Sequence, residues 1–343
     1  MAGFHHVDEF EPVARRRLPE STFGYVAGGA GLERSVQRNR ESLDALRLVP
    51  RVLRDVREVD PSISLLGKKS RFPLLVAPSA VQRLAHPDGE LATARAVRAA
   101  GLTMILSMNA STTMEEVGAE GAQFWMQLYF SPDRGHMEAV VHRAEEAGAG
   151  ALCITVDHAG MPTRIRELHR PLVVPPEVQF VHLDSDPAKR SIDRSLTWEV
   201  IDWLREVSTL PIVLKGVLHP EDGRRAAEIG VDAVIVSNHG GRQLDGTVSP
   251  YDVLVPFLEA VDGRMEVYAD GGIRSGTDLL KVLALGAHAG LIGRPIWWGL
   301  AAGGEAGVAR VLELVTTEFT ETMRLCGTAE VAAIDRELLL GSG

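Results

Sequence analysis

A histidine, two glycines, an arginine and an aspartate crowd into the stretch VSNHGGRQLDG, Val236 to Gly246, directly after the apolar run VDAVIV. His239 is the side chain here whose ordinary pKa lets it take up and release a proton near neutrality. Asp157, at the end of ALCITVD, supplies a carboxylate that would orient such a ring and stabilise its protonated form, which makes a general-base pair. Arg242 follows three residues after His239, and Arg164 lies in the segment after Asp157. Two planar guanidinium forks near a base suit a substrate that carries a carboxylate, and so a 2-oxo or 2-hydroxy acid.

A second group of residues is suited to phosphate. ADGGIRSGTD (269–278) and LIGRPI (291–296) each join glycines to an arginine, Arg274 and Arg294. Glycines admit backbone N–H groups close to an anion, a following helix N-terminus adds its positive end, and the guanidinium binds phosphate oxygens in pairs. Lys215, inside the apolar run PIVLKG, is costly to bury without a role. It would serve as a Schiff-base lysine or as a fixed cation beside a ring that gains negative charge.

These residues need a scaffold that brings distant segments together. After a charged, helical first sixty residues come eight short apolar runs, FPLLVAP, LTMILS, FWMQLY, ALCITVD, PIVLKG, DAVIVSN, MEVYADGG and AGLIGR. Amphipathic stretches such as GELATARAVRAAG and GTDLLKVLALG lie between them. Apolar strands alternating with helices predict a parallel sheet covered on its outer face, and eight units predict a closed (β/α)8 barrel. The C-terminal ends of the runs are polar throughout: Ser79, Ser107, Gln127 with Tyr129, Thr155 with Asp157, Lys215, Ser237 with His239, Asp270 and Arg294. In a barrel these ends converge on one mouth, and the phosphate-suited turns follow the last two strands, where barrels commonly hold phosphate.

The expected organisation is a single α/β domain over 1–343, with a helical extension over 1–60 and the barrel over 72–326. Nearly forty residues separate Asp157 from the next expected helix at 196–207, and a connection of that length reads as a partly mobile lid over the mouth. Of the histidines, His239 is expected to be the only one directly at a strand end, and His86 reads as a turn residue.

A formal net charge of −10 argues against nucleic-acid partners, and no apolar run approaches the length of a membrane span. Two cysteines, Cys153 and Cys326, give neither a disulfide framework nor a metal-ligand spacing. With no signal-peptide pattern at the start, a cytoplasmic location without membrane attachment or bound metal is expected.

The motifs SNHGGRQLD (237–245), LPESTFGYVAGGA (18–30), APSAVQRLAHPDGE (77–90), QLY, TVD, LKG, DGGIRSGTD and IGRP together resemble the FMN-dependent 2-hydroxy acid oxidase and dehydrogenase family over nearly the whole chain. The resemblance implies FMN as cofactor and His239 as the base, assisted by Asp157. It implies that Arg242 and Arg164 bind the substrate carboxylate, with Tyr25 and Tyr129 hydrogen-bonded to the substrate. It further implies flavin contacts from Ser79, Ala80, Ser107, Gln127, Thr155 and Ser237, with Lys215 stabilising negative charge on the reduced ring. Asp270 would meet the ribityl chain, and Gly272, Arg274, Gly293 and Arg294 the phosphate. A homo-oligomer, tetramer or octamer, is the implied assembly.

Asn109, in LSMNAS, stands where glycolate oxidases of that family carry a tryptophan. A smaller amide enlarges the pocket and offers a hydrogen bond, while Met161 supplies a flexible apolar wall. The expected substrate is therefore an aryl (S)-2-hydroxy acid, mandelate or 4-hydroxymandelate, with dioxygen as electron acceptor. The alternatives are lactate or glycolate oxidation, a soluble dehydrogenase, and, more remotely, an FMN-dependent isomerase or a non-catalytic flavin-binding protein.

Overall fold

Each of the eight apolar runs forms a short strand in the computed structural model, which describes residues 1, 3–184, 186, 190 and 192–340. Helices α1 (Phe10–Arg17), α2 (Glu20–Ala27) and α3 (Arg34–Ala45) come first, then a two-stranded antiparallel hairpin of β1 (Ile63–Leu65) and β2 (Lys68–Ser70). The barrel opens with β3 (Leu74–Val76), α4 (Gly89–Ala100), β4 (Thr103–Leu106), α5 (Met114–Ala119), β5 (Gln123–Leu128), α6 (Arg134–Glu146) and β6 (Leu152–Thr155). It continues through α7 (Ile165–His169), α8 (Glu199–Val207), β7 (Ile212–Val217), α9 (Pro220–Glu228), β8 (Ala233–Val236) and α10 (Pro250–Val261). It ends with β9 (Glu266–Ala269), α11 (Gly276–Ala284), β10 (Ala289–Ile292) and the long α12 (Arg294–Cys326), which bends at Gly304. Strands β3 to β10 pair in parallel in chain order, and β10 closes the ring onto β3.

The strands are apolar on both faces because both faces are buried. Leu75, Ile105, Trp125, Cys153, Val213, Ile235, Tyr268 and Leu291 pack in the barrel interior, whereas Leu74, Val76, Met104 and Leu106 belong to the layer shared with the helices. Strand length is therefore legible as an unbroken apolar run rather than as an alternation. Among the described residues no helix is long and apolar enough to cross a membrane.

Two expectations need correction. The helical extension stops at Ala45, and residues 46–62 contain no helix. That stretch instead runs along the C-terminal segment, with Val49 N–H bonded to the Leu338 carbonyl and Asp60 N–H to that of Ala329. The hairpin that follows was not expected at all. Leu65 enters the interior cluster and the Leu66 N–H bonds Glu266 Oε1 at 3.0 Å, so the hairpin closes the bottom of the barrel against β9. The connection after β6 is long, as expected. It holds one short helix, α7, and the next helix begins at Glu199, although part of the expected lid, residues 185, 187–189 and 191, lies outside the described residues.

The loops at the mouth are tied from below by Glu90, whose carboxylate is fully buried on α4. It accepts from Gln82 N–H at 3.0 Å, Ser111 N–H at 2.9 Å, Ser111 Oγ at 2.8 Å and Thr112 Oγ1 at 2.9 Å. One side chain thereby joins the turn after β3 to the turn after β4, which also meet where Val81 N–H bonds the Asn109 carbonyl. Replacing Glu90 by alanine leaves two buried backbone donors unsatisfied. We expect Glu90→Ala to destabilise the fold by roughly 3 kcal/mol or more and Glu90→Gln by clearly less, because the amide oxygen can still accept both N–H groups. Chemical denaturation of the two variants checks the order.

Candidate active site

The turn after β8 owes its shape to α3. Asn238 and Asn39 exchange side-chain hydrogen bonds at 2.9 and 2.7 Å, and Asn238 Oδ1 also accepts from Gly241 N–H. Asp245 accepts from Leu32 N–H and Ser35 N–H, each at 2.9 Å, so a carboxylate sits at the positive N-terminus of α3. Gly241 has φ +76, and a Cβ there would lie 2.6 Å from Val36 N. The asparagine, glycine and aspartate of SNHGGRQLD thus clamp the N-terminal extension, which leaves the histidine and arginine free to face the mouth.

His239 itself takes a left-handed backbone conformation, φ +58, held by its N–H to Ser237 Oγ at 3.0 Å. Its Nδ1 lies 2.9 Å from Asp157 Oδ1, and its Nε2 lies 3.5 Å from the Tyr129 hydroxyl. Asp157 reaches this position because β7 carries a bulge at Gly216, φ +102, where a Cβ would lie 2.4 Å from the Asp157 carboxyl carbon. Burial alone would raise the Asp157 pKa, but the charge of His239, its hydrogen bond and Lys215 together hold it below the usual carboxylate range. Tyr129 is pushed the other way, well above the ordinary phenol value, by burial and by the Asp157 charge, so it stays a donor.

Lys215 is buried, with Nζ 2.7 Å from Asp270 Oδ2 and 2.9 Å from Ser237 Oγ. Burial favours its neutral form, yet Asp270 and Asp157 more than offset this and its pKa is raised. Next to it runs a chain of amide and hydroxyl groups: Gln127 Oε1 accepts from Ser107 Oγ and Met108 N–H, each at 3.2 Å, while Gln127 Nε2 donates to Thr155 Oγ1 at 3.0 Å.

These groups surround a chamber of about 500 Å3 at the C-terminal mouth of the barrel. Of the residues expected at the site, Tyr25, Ser79, Ala80, Ser107, Asn109, Tyr129, Thr155, Met161, Arg164, Lys215, His239, Arg242, Asp270, Gly272, Arg274, Gly293 and Arg294 line it. Gln127, Asp157 and Ser237 stand behind that wall, each bonded to a group that does face the chamber. Met161 is 71% exposed and so forms the outer lip.

Two wall residues escaped the sequence reading. His158 follows Asp157 and lies as close to the end of β6 as His239 does to the end of β8, so His239 is not the only histidine at a strand end. Its ring packs 4.8 Å from Tyr129 and 6.2 Å from His239, and its buried Nδ1 has no partner. Burial and the His239 charge lower its pKa, which favours a neutral ring. The signal is present in TVDH, where His158 directly follows the aspartate that pairs with His239. Glu167 was also missed, because a glutamate two residues into a short lid helix looks like a solvated charge.

A phosphorylated flavin fits the far side of the chamber on this chain's own chemistry. The Arg274 guanidinium stacks on Trp298 at 4.1 Å and its Nη1 is buried without a partner. Arg294 donates only to carbonyls, Val26, Gly28 and Gly240. Burial, with Arg242 and Arg274 nearby, pushes Arg294 down to about 9, and burial pushes Arg274 to about 10. Two enclosed cations beside Gly271 and Gly272, with φ +101 and +93, form a cradle for a dianion. Asp270, which also lines the chamber, keeps Oδ1 unpartnered while Oδ2 holds Lys215, and so can accept from hydroxyl groups.

Comparison with known proteins agrees with this geometry. A family model described as FMN-dependent dehydrogenase matches residues 14–340. The chain is 42% identical to L-lactate oxidase of Nostoc sp. over 352 residues and 41% identical to 4-hydroxymandelate oxidase of Amycolatopsis orientalis over 342, covering 96% of each chain in both cases. A crystal structure of mandelate oxidase with benzoyl-formic acid superimposes with a TM-score of 0.92 at 42% identity, covering 96% of this chain and 97% of that one.

Loss of one enclosed cation should weaken the anion cradle without opening the core. We expect Arg274→Leu to fold but to release FMN at least tenfold more readily, on the basis of about 1.5–3 kcal/mol for a charge-assisted contact. The flavin-to-protein absorbance ratio after gel filtration measures this.

Proposed function

This chain belongs to the FMN-dependent dehydrogenase family, among relatives named as 2-hydroxy acid oxidases, and we propose that its substrate is an aryl (S)-2-hydroxy acid, mandelate or 4-hydroxymandelate, oxidised to the 2-oxo acid. The observation that carries the aryl reading is the wall facing the base. Asn109 and Met161 leave room for a ring, and the ring of His158 against Tyr129 adds an aromatic surface with an unpartnered polar nitrogen. A lactate methyl group would leave these groups without contact. Overall identity does not decide the matter, since lactate and hydroxymandelate oxidases are equally similar to the chain.

In this reading the substrate carboxylate docks on Arg242 and Arg164, and its hydroxyl meets His239 Nε2 and the Tyr129 hydroxyl. Because Nδ1 donates to Asp157, Nε2 presents its lone pair and is the atom that takes the proton. Asp157, held ionised, then stabilises the imidazolium that results. Tyr129 keeps its proton and donates to the developing oxygen charge. Lys215, locked by Asp270 and Ser237, presents a fixed positive charge toward the cofactor ring. Bound in the cradle, FMN would supply the two-electron oxidant for the hydroxy acid, with dioxygen, taking two electrons and two protons to hydrogen peroxide, as the final acceptor. Ser79, Ala80, Ser107, Gln127 and Thr155, which line or back the chamber, would hold that ring, and Tyr25 would face the substrate.

His239→Ala should retain FMN yet lose at least about a thousandfold in the rate of anaerobic flavin bleaching, the range of general-base contributions. Bleaching at the wild-type rate would overturn the assignment of the base. Asn109→Trp should cut turnover of mandelate far more than turnover of glycolate, because the indole fills the space assigned to the aryl ring. Steady-state comparison of (S)-mandelate, (S)-4-hydroxymandelate, lactate and glycolate in wild type and variant tests this, and glycolate preferred by the wild type would refute the aryl reading.

A further inference from the structure

The two arginines assigned to the substrate carboxylate already share a carboxylate of this chain. Arg164 Nη1 lies 3.4 Å and Arg242 Nη2 lies 3.7 Å from the same atom, Oε1 of Glu167. Part of each guanidinium group is occupied elsewhere. Arg242 Nη1 donates to the carbonyls of Tyr25 and Gly28, and Arg164 Nε donates to the Arg242 carbonyl at 3.3 Å. Arg164 Nη1 and Arg242 Nη2 thus converge from two segments on one carboxylate, Glu167, which itself lines the chamber.

Glu167 is held in place by its own segment. Arg166 pairs with Glu33 at 2.6 Å, and Gly31 N–H bonds the Thr163 carbonyl at 2.8 Å, so α7 is fastened to the stretch after α2. With the backbone fixed, only the Glu167 side chain, about a quarter exposed, has freedom to swing toward the mouth. The long separations, 3.4 and 3.7 Å, are those of a carboxylate that neutralises two repelling cations without being gripped by either.

We propose that Glu167 is an internal competitor for the carboxylate subsite: its Oε1 balances Arg164 and Arg242 before substrate binds, and an incoming carboxylate must displace it. This rests on the functional reading above. Its consequence is selectivity. A 2-hydroxy acid anion pays for the displacement, whereas a neutral 2-hydroxy amide can leave Glu167 in place and donate an N–H to it. The residue thus sets affinity and the ratio of acid to amide binding, and takes no part in proton transfer at His239.

The test uses FMN-loaded wild type, Glu167→Gln and Glu167→Asp, titrated with benzoylformate and with the neutral amide of mandelate while the flavin spectrum is followed. In Glu167→Gln we expect the Kd of the carboxylate to fall roughly three- to tenfold while that of the amide rises or stays unchanged, in line with about 1 kcal/mol for a partly exposed charge. Glu167→Asp should retain the wild-type discrimination. A purely structural role for Glu167 would weaken both ligands together, so an unchanged or reversed acid-to-amide ratio overturns the proposal while leaving the 2-hydroxy acid reading intact. If no carboxylate perturbs the flavin even in wild type, that reading falls, and this inference with it.

Discussion

The structure is organised around charge that must be held away from water. At the mouth of the barrel the basic side chains of Arg164, Lys215, His239, Arg242, Arg274 and Arg294 surround one chamber, while the carboxylates of Glu167, Asp184 and Asp270 line it and that of Asp157 stands behind His239. An enclosed charge without partners costs several kcal/mol, and removing one member of a buried pair commonly costs about 3–5 kcal/mol. The fold meets this cost with backbone carbonyls. Tyr25, Val26 and Gly28, at the end of α2, accept from Arg242 and Arg294, and Gly240 accepts from Arg294. The N-terminal extension is thus part of the electrostatic lining of the site rather than an appendage, and its docking through Asn39 and Asp245 follows from that need.

The same constraint accounts for the pairing within the chamber. Lys215 on β7 pairs with Asp270 after β9, and His239 after β8 pairs with Asp157 after β6, so the two ion pairs interleave across the bulge at Gly216, which makes room for Asp157 beside Lys215. One backbone irregularity therefore serves two ion pairs. The left-handed conformation of His239 is a further local cost, over-determined by the bonds that Ser237 Oγ accepts from His239 N–H and Asn238 Oδ1 accepts from Gly241 N–H. Preorganisation of this kind means that the ring need not reorient when the proton moves.

How much of this was legible in the sequence varies with the range of the interaction. The eight strands were visible because each is buried on both faces, which leaves an unbroken apolar run, and their polar ends gather around one chamber, lining it or standing directly behind its wall. The hairpin at 63–70 was not, because its three-residue strands are half exposed and Leu66 takes a positive φ that a leucine rarely adopts. The Asn39–Asn238 pair joins residues 199 positions apart, so nothing local to either one announces it. Glu167 and His158 were hidden for a different reason: each lies next to a residue with a stronger claim, and only the fold shows which way their side chains point.

Glu167 also bears on why relatives of such close overall similarity can carry different substrate names. The barrel, the cradle and the base pair depend on buried groups whose replacement carries a stability cost, so they tolerate little change. The chamber wall is different. Asn109, Met161 and His158 are bonded to the scaffold mainly through their backbone or not at all, and the Glu167 carboxylate pairs with the two arginines. Substitution at these positions alters the shape and charge met by a substrate while leaving the core undisturbed. Specificity can therefore change at few positions, whereas the chemistry, which depends on a network of mutually dependent charges, cannot.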